Sequence, residues 1–463
     1  MTPSPFRFVA VGALLCGLAL PATVRADAPK ISIPHEEYRL ANGLQVILHR
    51  DTTTPLAHVE LWYHVGSKDE VQGRSGFAHL FEHLMFNGSE HFDDEYFAPL
   101  QPFGARINGS TNTDRTNYYE TVPTNALERA LWMEADRMGF LLPALVQAKL
   151  TNQQDVVRNE RRQSYEIRPY GEVWTLLSSE VYPEGHPYHH TTIGSHEDLD
   201  AATLEDVKGF FRTWYVPNNA TLVVAGSFEP EQLKGWIETY FGPIPRGEQP
   251  TPVTEAPVTR PAAKTVEMTD EVQLSRVYWA WQSPKFFGEG DADLDVLSAI
   301  LSDGKNSRLY KRLVFEDRIA KDVAAFQASA QLSSRYIIYA TVAPGHTVQE
   351  VQTAMQEELD LLRGKGVTPE ELERATNGWQ KGFFQQMESV SGRAGMLHRY
   401  NNYVAQPDFA QGDLDRYLAV TIESLKSWAT SVLDDTHRLE IIVRPVPEAT
   451  DEEAPKGPKG GAQ

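Results

Sequence analysis

The feature that most restricts what this chain can fold into is that its two halves match. From Pro243 to Pro261 the sequence reads PIPRGEQPTPVTEAPVTRP, with six prolines and few large apolar side chains. Residues 243–263 therefore read as an extended linker, flanked by segments 35–242 and 264–446 of similar length. With a shift of 216 and no gaps, Leu61-Trp62-Tyr63 falls on Val277-Tyr278-Trp279. The same shift sets Leu80, Phe81, Leu84 and Met85 on Val296, Leu297, Ile300 and Leu301, and Gly88 on Gly304. A shift of 218 brings Leu222-Val223-Val224 onto Glu440-Ile441-Ile442, a partial match. Several matches in one order mean one structural plan used twice. Each copy reads as a strand pair (39–49 and 56–65 in the first), then helices, then a closing β-rich stretch such as 220–226. The expected fold is α+β: two homologous domains, each a mainly antiparallel sheet with helices packed on one face.

Residues 1–26 stand apart from both copies. Arg7, an apolar run from Phe8 to Leu20 and Val24-Arg25-Ala26 make a secretory signal peptide pattern. The run is shorter than the ~20 apolar residues a membrane helix requires. The expectation is an exported chain, periplasmic or secreted, with no membrane span after cleavage. The single cysteine, Cys16, would leave with the leader, which excludes thiol catalysis and disulfides in what remains. Residues 447–463 have the composition of a disordered tail. Among 463 residues, 41% are hydrophobic and 23% charged, the balance of an ordinary folded protein. A net charge of −20 argues against nucleic acid as a partner, since phosphate binding needs clustered Lys and Arg.

The chemistry lies in the first copy. Residues 76–88 read GFAHLFEHLMFNG, where Phe77, Leu80, Phe81, Leu84 and Met85 recur at helical spacing and Asn87-Gly88 close the helix. His79, Glu82 and His83 share the other face. Four residues advance a helix by little more than one turn, so both imidazoles can reach one ion. His-x-x-Glu-His is an inverted zinc-protease motif, with Glu82 placed as general base and acid. Zinc takes neutral imidazoles, and a catalytic site adds a third protein ligand and keeps one position open. The plain alternative is a solvated helix face that happens to carry these residues.

With this motif the chain resembles the inverzincin peptidases of the pitrilysin and mitochondrial processing peptidase family. The likeness runs through Gly66-Ser67-Lys68-Asp69-Glu70, Gly76 to Gly88, Asn108-Gly109-Ser110-Thr111, Thr116-Asn117-Tyr118-Tyr119 and Val156 to Arg162. The resemblance implies one Zn2+ per chain held by His79, His83 and a glutamate. The family places that glutamate 76 residues beyond the second histidine, and 76 residues separate His83 from Glu160. It also implies that Asn108, Gly109, Ser110 and Thr111 form an edge strand to which an extended peptide adds by main-chain hydrogen bonds. Relatives carry a glutamate seven residues before the third ligand, where this chain has Gln153. In the stretch around Glu160, Val156 and Val157 read as core-facing.

Under the 216-residue shift, His79, Glu82 and His83 fall on Asp295, Ser298 and Ala299, so the second copy keeps the apolar pattern and loses the motif. Family members use an Arg and Tyr from a facing domain to grip substrate; here only adjacent Arg335 and Tyr336 occur in the corresponding stretch. The resemblance therefore implies a second subunit, a homodimer or a heterodimer with a related chain that supplies the pair. His186, His189, His190 and His196 cluster in a Pro- and Gly-containing stretch that reads as a loop. The reading is a zinc endopeptidase for peptides or unfolded segments. The alternative on the same fold is a non-catalytic subunit or a peptide-binding, chaperone-like protein.

Overall fold

The computed structural model describes residues 30–256 and 261–447. The leader over 1–26, four residues of the linker and the tail beyond 447 lie outside them. In the first half, β1 (Glu36–Arg39), β2 (Gln45–Arg50) and β3 (Leu56–Tyr63) precede the short helix α1 (Phe77–Leu84). The hairpin of β4 (Arg106–Thr111) and β5 (Thr116–Pro123) follows. Helices α2 (Leu127–Ala144), α3 (Gln147–Arg161), α4 (Val173–Val181), α5 (His196–Ala201) and α6 (Leu204–Trp214) lead to β6 (Ala220–Gly226) and α7 (Pro230–Phe241).

The second half runs β7 (Lys264–Asp270), β8 (Arg276–Ser283), α8 (Asp291–Ser302), β9 (Ala320–Ala328) and β10 (Ser334–Val342). Then come α9 (Val348–Lys365), α10 (Pro369–Met387), α11 (Val390–Val404), α12 (Ala410–Leu418), α13 (Ile422–Val432) and β11 (Leu439–Pro445).

The two sheets repeat one topology. The first has the order β1-β2-β6-β3-β5-β4 and the second β7-β11-β8-β10-β9. In each, the last strand inserts between two early ones and forms the only parallel pair of its sheet, β2 with β6 and β7 with β11. The register corrects one alignment. Leu61 lies opposite Leu222 and Val277 opposite Ile442, so with β3 matched to β8 at 216, β6 matches β11 at 220 rather than 218. Leu222 thus corresponds to Ile442, apolar to apolar, because the second half spends four more residues between its paired strands.

Each sheet packs one face on its own helices. Val46, Val59, Leu61, Leu222 and Val224 meet Phe81, Leu131 and Phe211 in the first core, and Val277, Trp279 and Ile338 meet Leu297, Met355 and Leu425 in the second. The other faces are covered as well, which goes beyond the one-face arrangement expected from sequence. Val173, Leu177 and Val181 of α4 cover Tyr278, Ala280, Ile337 and Ile441 of the second sheet. In return α11 lies on β3 and β6 of the first sheet.

The two seams differ in chemistry. Under α4 the contact is apolar, whereas under α11 it is polar. His398 bonds the Glu60 carbonyl at 2.9 Å and stacks on Trp62 at 5.0 Å. Asn401 exchanges hydrogen bonds with Gln45, His64 bonds Asn402, and Arg393 bonds His49 and pairs with Asp51. Through these exchanged helices the described residues from Ser32 onward form one compact unit.

Candidate active site

Helix α1 starts at Gly76 with φ +90°, a conformation glycine adopts freely; a Cβ there would meet the Ile193 carbonyl oxygen at 2.8 Å. No side chain at Gly76 can cap the helix. Glu70 does so from the preceding loop, accepting from the Gly76 amide at 2.9 Å and the Ala78 amide at 2.8 Å. A carboxylate on a helix N-terminus is favoured by the orphan amides and the dipole, while burial of Glu70 pushes its pKa up. Phe77, Leu80, Phe81 and Leu84 bury one face, with Phe81 against Phe210 and Tyr215. That fixes the rotation of the helix and turns His79, Glu82 and His83 toward α3. The helix is shorter than the sequence suggests. It ends at Leu84, tightens through the Phe86 amide on the His83 carbonyl, and turns at Gly88 with φ +85°.

The inward stripe of α3 is Leu150, Gln153 and Val157, and Glu160 continues it at the same spacing. Val156 is 39% exposed, so only one of the two valines faces the core. Glu160 brings Oε2 to 3.2 Å from His83 Nε2 and 3.7 Å from His79 Nε2. The donor atoms of the three residues all lie within 4.8 Å of one another, the only such group of His, Cys, Asp or Glu among the described residues. Burial and the neighbouring His83 push His79 down to about 4, which leaves it neutral with a lone pair to offer. The hydrogen bond from His83 holds Glu160 below the usual carboxylate range. Burial pushes Glu82 up, with Thr111, His83 and Arg115 acting the other way.

Gln153 makes no hydrogen bond to either imidazole. Its amide donates to Asn87 Oδ1 at 3.1 Å, and Asn87 in turn donates to the His83 carbonyl at 2.8 Å, which braces the end of α1 against α3.

Asn108, Gly109, Ser110 and Thr111 lie in β4, the outermost strand of its sheet. The Asn112 amide bonds the Arg115 carbonyl across the hairpin. By antiparallel alternation the peptide groups of Ile107, Gly109 and Thr111 then point away from β5, where the Gly109 amide donates to Asn108 Oδ1 at 2.9 Å, a bond that an added strand would replace. A Cβ on Gly109 would press on the Phe86 and Tyr118 rings at 3.1 Å, so glycine lets β4 lie close to the end of α1. Arg115 is a site residue that sequence reasoning misses. Its guanidinium donates to Ser110 O at 2.7 Å, to Ser110 Oγ and to Asn117 Oδ1, and lies over the Trp62 ring, which stiffens the hairpin. An arginine in a polar turn carries no local signal of that role.

Other residues singled out from sequence are engaged elsewhere. Tyr336 is fully buried, and Arg335 bonds Ser178 and lies over Tyr182. Of the clustered histidines, His196 opens α5 rather than lying in a loop and pairs with Glu166 at 2.6 Å, His186 stacks on Tyr182, and His190 lies 3.7 Å from the capping Glu70.

Comparison with known proteins places these elements in a family. A sequence profile described as insulinase (peptidase family M16) matches residues 45–187, and one described as peptidase M16 inactive domain matches 201–378. A zinc protease of Helicobacter pylori, PqqE, is 29% identical over 419 residues, covering 89% of this chain and 93% of that protein. A probable mitochondrial-processing peptidase subunit beta of Arabidopsis thaliana is 23% identical over 370 residues, 76% of this chain and 67% of that protein. A protease from Helicobacter pylori of known crystal structure superposes with a TM-score of 0.80 at 28% identity, over 89% of this chain and all of that one. Profiles of one family match both halves in order, and the duplicated architecture recurs in a solved protease, so the chain belongs to the insulinase (M16) family of peptidases.

Proposed function

We propose that the chain is a zinc-dependent endopeptidase that hydrolyses peptides or unfolded segments held in extended form. The observation that carries this reading is the convergence of His79, His83 and Glu160 beside Glu82, next to β4, the outermost strand of its sheet among the described residues. The donor set fits zinc: two imidazoles and one carboxylate, with two of the spacings, 3.2 and 3.7 Å, close to the roughly 3.4 Å that separates neighbouring ligands of a tetrahedral ion. His79, His83 and Glu160 would hold the metal. Zinc, when bound, supplies Lewis acidity that activates water and polarises the scissile carbonyl.

The remaining work belongs to the chain. Glu82, whose proton affinity burial has raised, takes the proton of the attacking water and delivers it to the leaving amine. The outward peptide groups of Ile107, Gly109 and Thr111 bind substrate main chain, and Arg115 keeps that edge rigid. Glu82→Gln should abolish hydrolysis of a quenched peptide library while zinc content by elemental analysis stays at one per chain; retained hydrolysis would overturn the mechanism. An inactive subunit on the same fold would be expected to have lost part of the motif, and all four residues are present.

The same reading includes a second subunit, another copy or a related chain, that supplies the substrate-gripping Arg and Tyr. Its support is that Arg335 and Tyr336 are committed within this chain. It also includes export, supported by the leader sequence; among the described residues no helix is long and apolar enough to cross a membrane. Solution mass measured alongside activity tests the first, and N-terminal sequencing of the cell-derived protein tests the second.

A further inference from the structure

A cavity of about 260 Å3 opens where the two halves meet, between α4 and the loop before α5 on one side and the turn from β9 to β10 on the other. It adjoins the candidate active site. Thr113, two residues past the end of β4, forms part of its wall, and so does Tyr165, five residues past Glu160. Arg161, next to that glutamate, lies over the Tyr165 ring at 5.7 Å. Burial pushes the Tyr165 hydroxyl up, with Arg161, Glu160 and Arg335 among the charges that reach it. A peptide laid along β4 and leaving it past Thr111 therefore runs toward this cavity.

The charge in the wall belongs to Arg335 of β10. Its Nη1 donates to Ser178 Oγ at 2.9 Å and its guanidinium lies over the Tyr182 ring at 5.7 Å, so the group is fixed in place. Nε and Nη2 have no protein acceptor among the described residues and are not sealed from solvent. Elsewhere Arg308, Arg312, Arg363, Arg393 and Arg416, half-buried like Arg335, each pair with a carboxylate. Arg335 pairs with none among the described residues, and no Asp or Glu lines the cavity although the chain carries 63 acidic residues. Burial lowers the pKa of His190, the other titratable nitrogen base in the wall, so it adds no charge at neutral pH.

This arrangement selects an anion. A guanidinium with one amine tied back still presents Nε and Nη2 as a fork that matches the two oxygens of a carboxylate. The half-buried Trp174 ring beside it suits the methylene stem that carries such a group. The volume falls below the roughly 300–1,000 Å3 of a small-molecule site and suits one side chain or chain end. We propose that Arg335 makes this cavity a specificity pocket for one carboxylate of the bound peptide, either an Asp or Glu side chain or the C-terminus. The pocket rests on the peptidase reading for the path by which the peptide arrives.

Fluorescence anisotropy of labelled decapeptides on the zinc-loaded Glu82→Gln chain tests it, since binding is then read without turnover. The peptides are built of Ala and Ser with an amidated C-terminus and one Glu moved through each position in turn. A matching Gln series and a Glu-free peptide with a free C-terminal carboxylate complete the set. Either one Glu position should bind at least about tenfold more tightly than its Gln counterpart, which identifies a side chain as the source, or the free-carboxylate peptide should do so over its amide, which identifies the chain end. Arg335→Gln keeps an amide to donate to Ser178, should melt near the parent temperature and should abolish the preference. Arg335→Lys, which keeps the charge and loses the fork, replaces it if Arg335→Gln does not fold, and should cut the preference severalfold. Binding without a carboxylate preference, a preference untouched by these substitutions, or no binding of any peptide overturns the proposal. Hydrolysis of the same peptides by the unsubstituted chain is scored separately: carboxylate binding through Arg335 with no cleavage keeps the pocket and sinks the peptidase reading, and cleavage indifferent to Arg335 does the reverse.

Discussion

Glu160 offers its carboxylate to both imidazoles through one oxygen, and its amide analogue would offer a weaker, uncharged ligand. Glu160→Gln should therefore lower zinc affinity by at least about 100-fold, more than the 10–100-fold that loss of an indirect partner costs, as read by competition with a chromogenic chelator. Gln153→Ala should fall in that smaller range, because it loosens Asn87 and the end of α1 without removing a ligand. At this scale the sequence was unevenly informative. The pairing of His79 with His83 is a consequence of helical pitch and is visible within five residues. Glu160 sits on the inward stripe of its own helix, but nothing local says what that stripe faces, and only the spacing implied by the family resemblance singles it out. Val156 was misjudged because two adjacent apolar residues lie 100° apart on a helix and only one can point inward. Arg115 acts through contacts that exist only once the hairpin has closed.

Elements hold the site by their ends. With glycine as its N-cap, α1 depends on Glu70 for two of its orphan amides, so Glu70→Ala should cost about 1–2 kcal/mol of stability, measured by denaturant unfolding, and reduce zinc retention alongside it. Gly109→Val should force β4 away from Phe86 and Tyr118 and leave the metal group in place. The expected result is full zinc content with kcat/KM down about tenfold or more, a loss of peptide positioning rather than of the ion. The strand and helix order was legible because apolar periodicity is a local signal, whereas the end of α1 was placed four residues late. Met85 is buried and keeps the apolar rhythm going, yet the chain has already left the helix to reach the turn at Gly88.

Across the whole molecule, β3 shows what periodicity alone leaves out. His58, Glu60 and Trp62 alternate with Val59, Leu61 and Tyr63 as the wet side of a sheet would, yet they are 2%, 5% and 6% exposed because α11 of the other half lies over them. A helix more than 300 residues away in sequence leaves no mark on the strand it covers.

This seam should make the fold acid-sensitive. Burial pushes His398 down to about 4 and also lowers His49 and His64. A histidine with a depressed native pKa binds its proton first in the unfolded chain, so stability is complete above pH 6.5, falls as the pH drops below that value, and stops falling near 4. For His398 alone the loss is on the order of 3 kcal/mol. Denaturant unfolding at pH 7 and pH 5 should show the drop, and His398→Gln should flatten it. A slope unchanged by the substitution would place the acid sensitivity elsewhere.

The exchange of α4 for α11 also bears on how such a molecule could have arisen and how it is made. A ribosome that has released only the first half has built a sheet whose second face awaits a helix not yet synthesised, so that half should be held by chaperones or cling to another copy of itself. An ancestor with a single copy of the domain would have met the same need by pairing, each subunit lending a helix to its twin. Fusion of the two genes would then have turned an encounter between molecules into a fold-back within one.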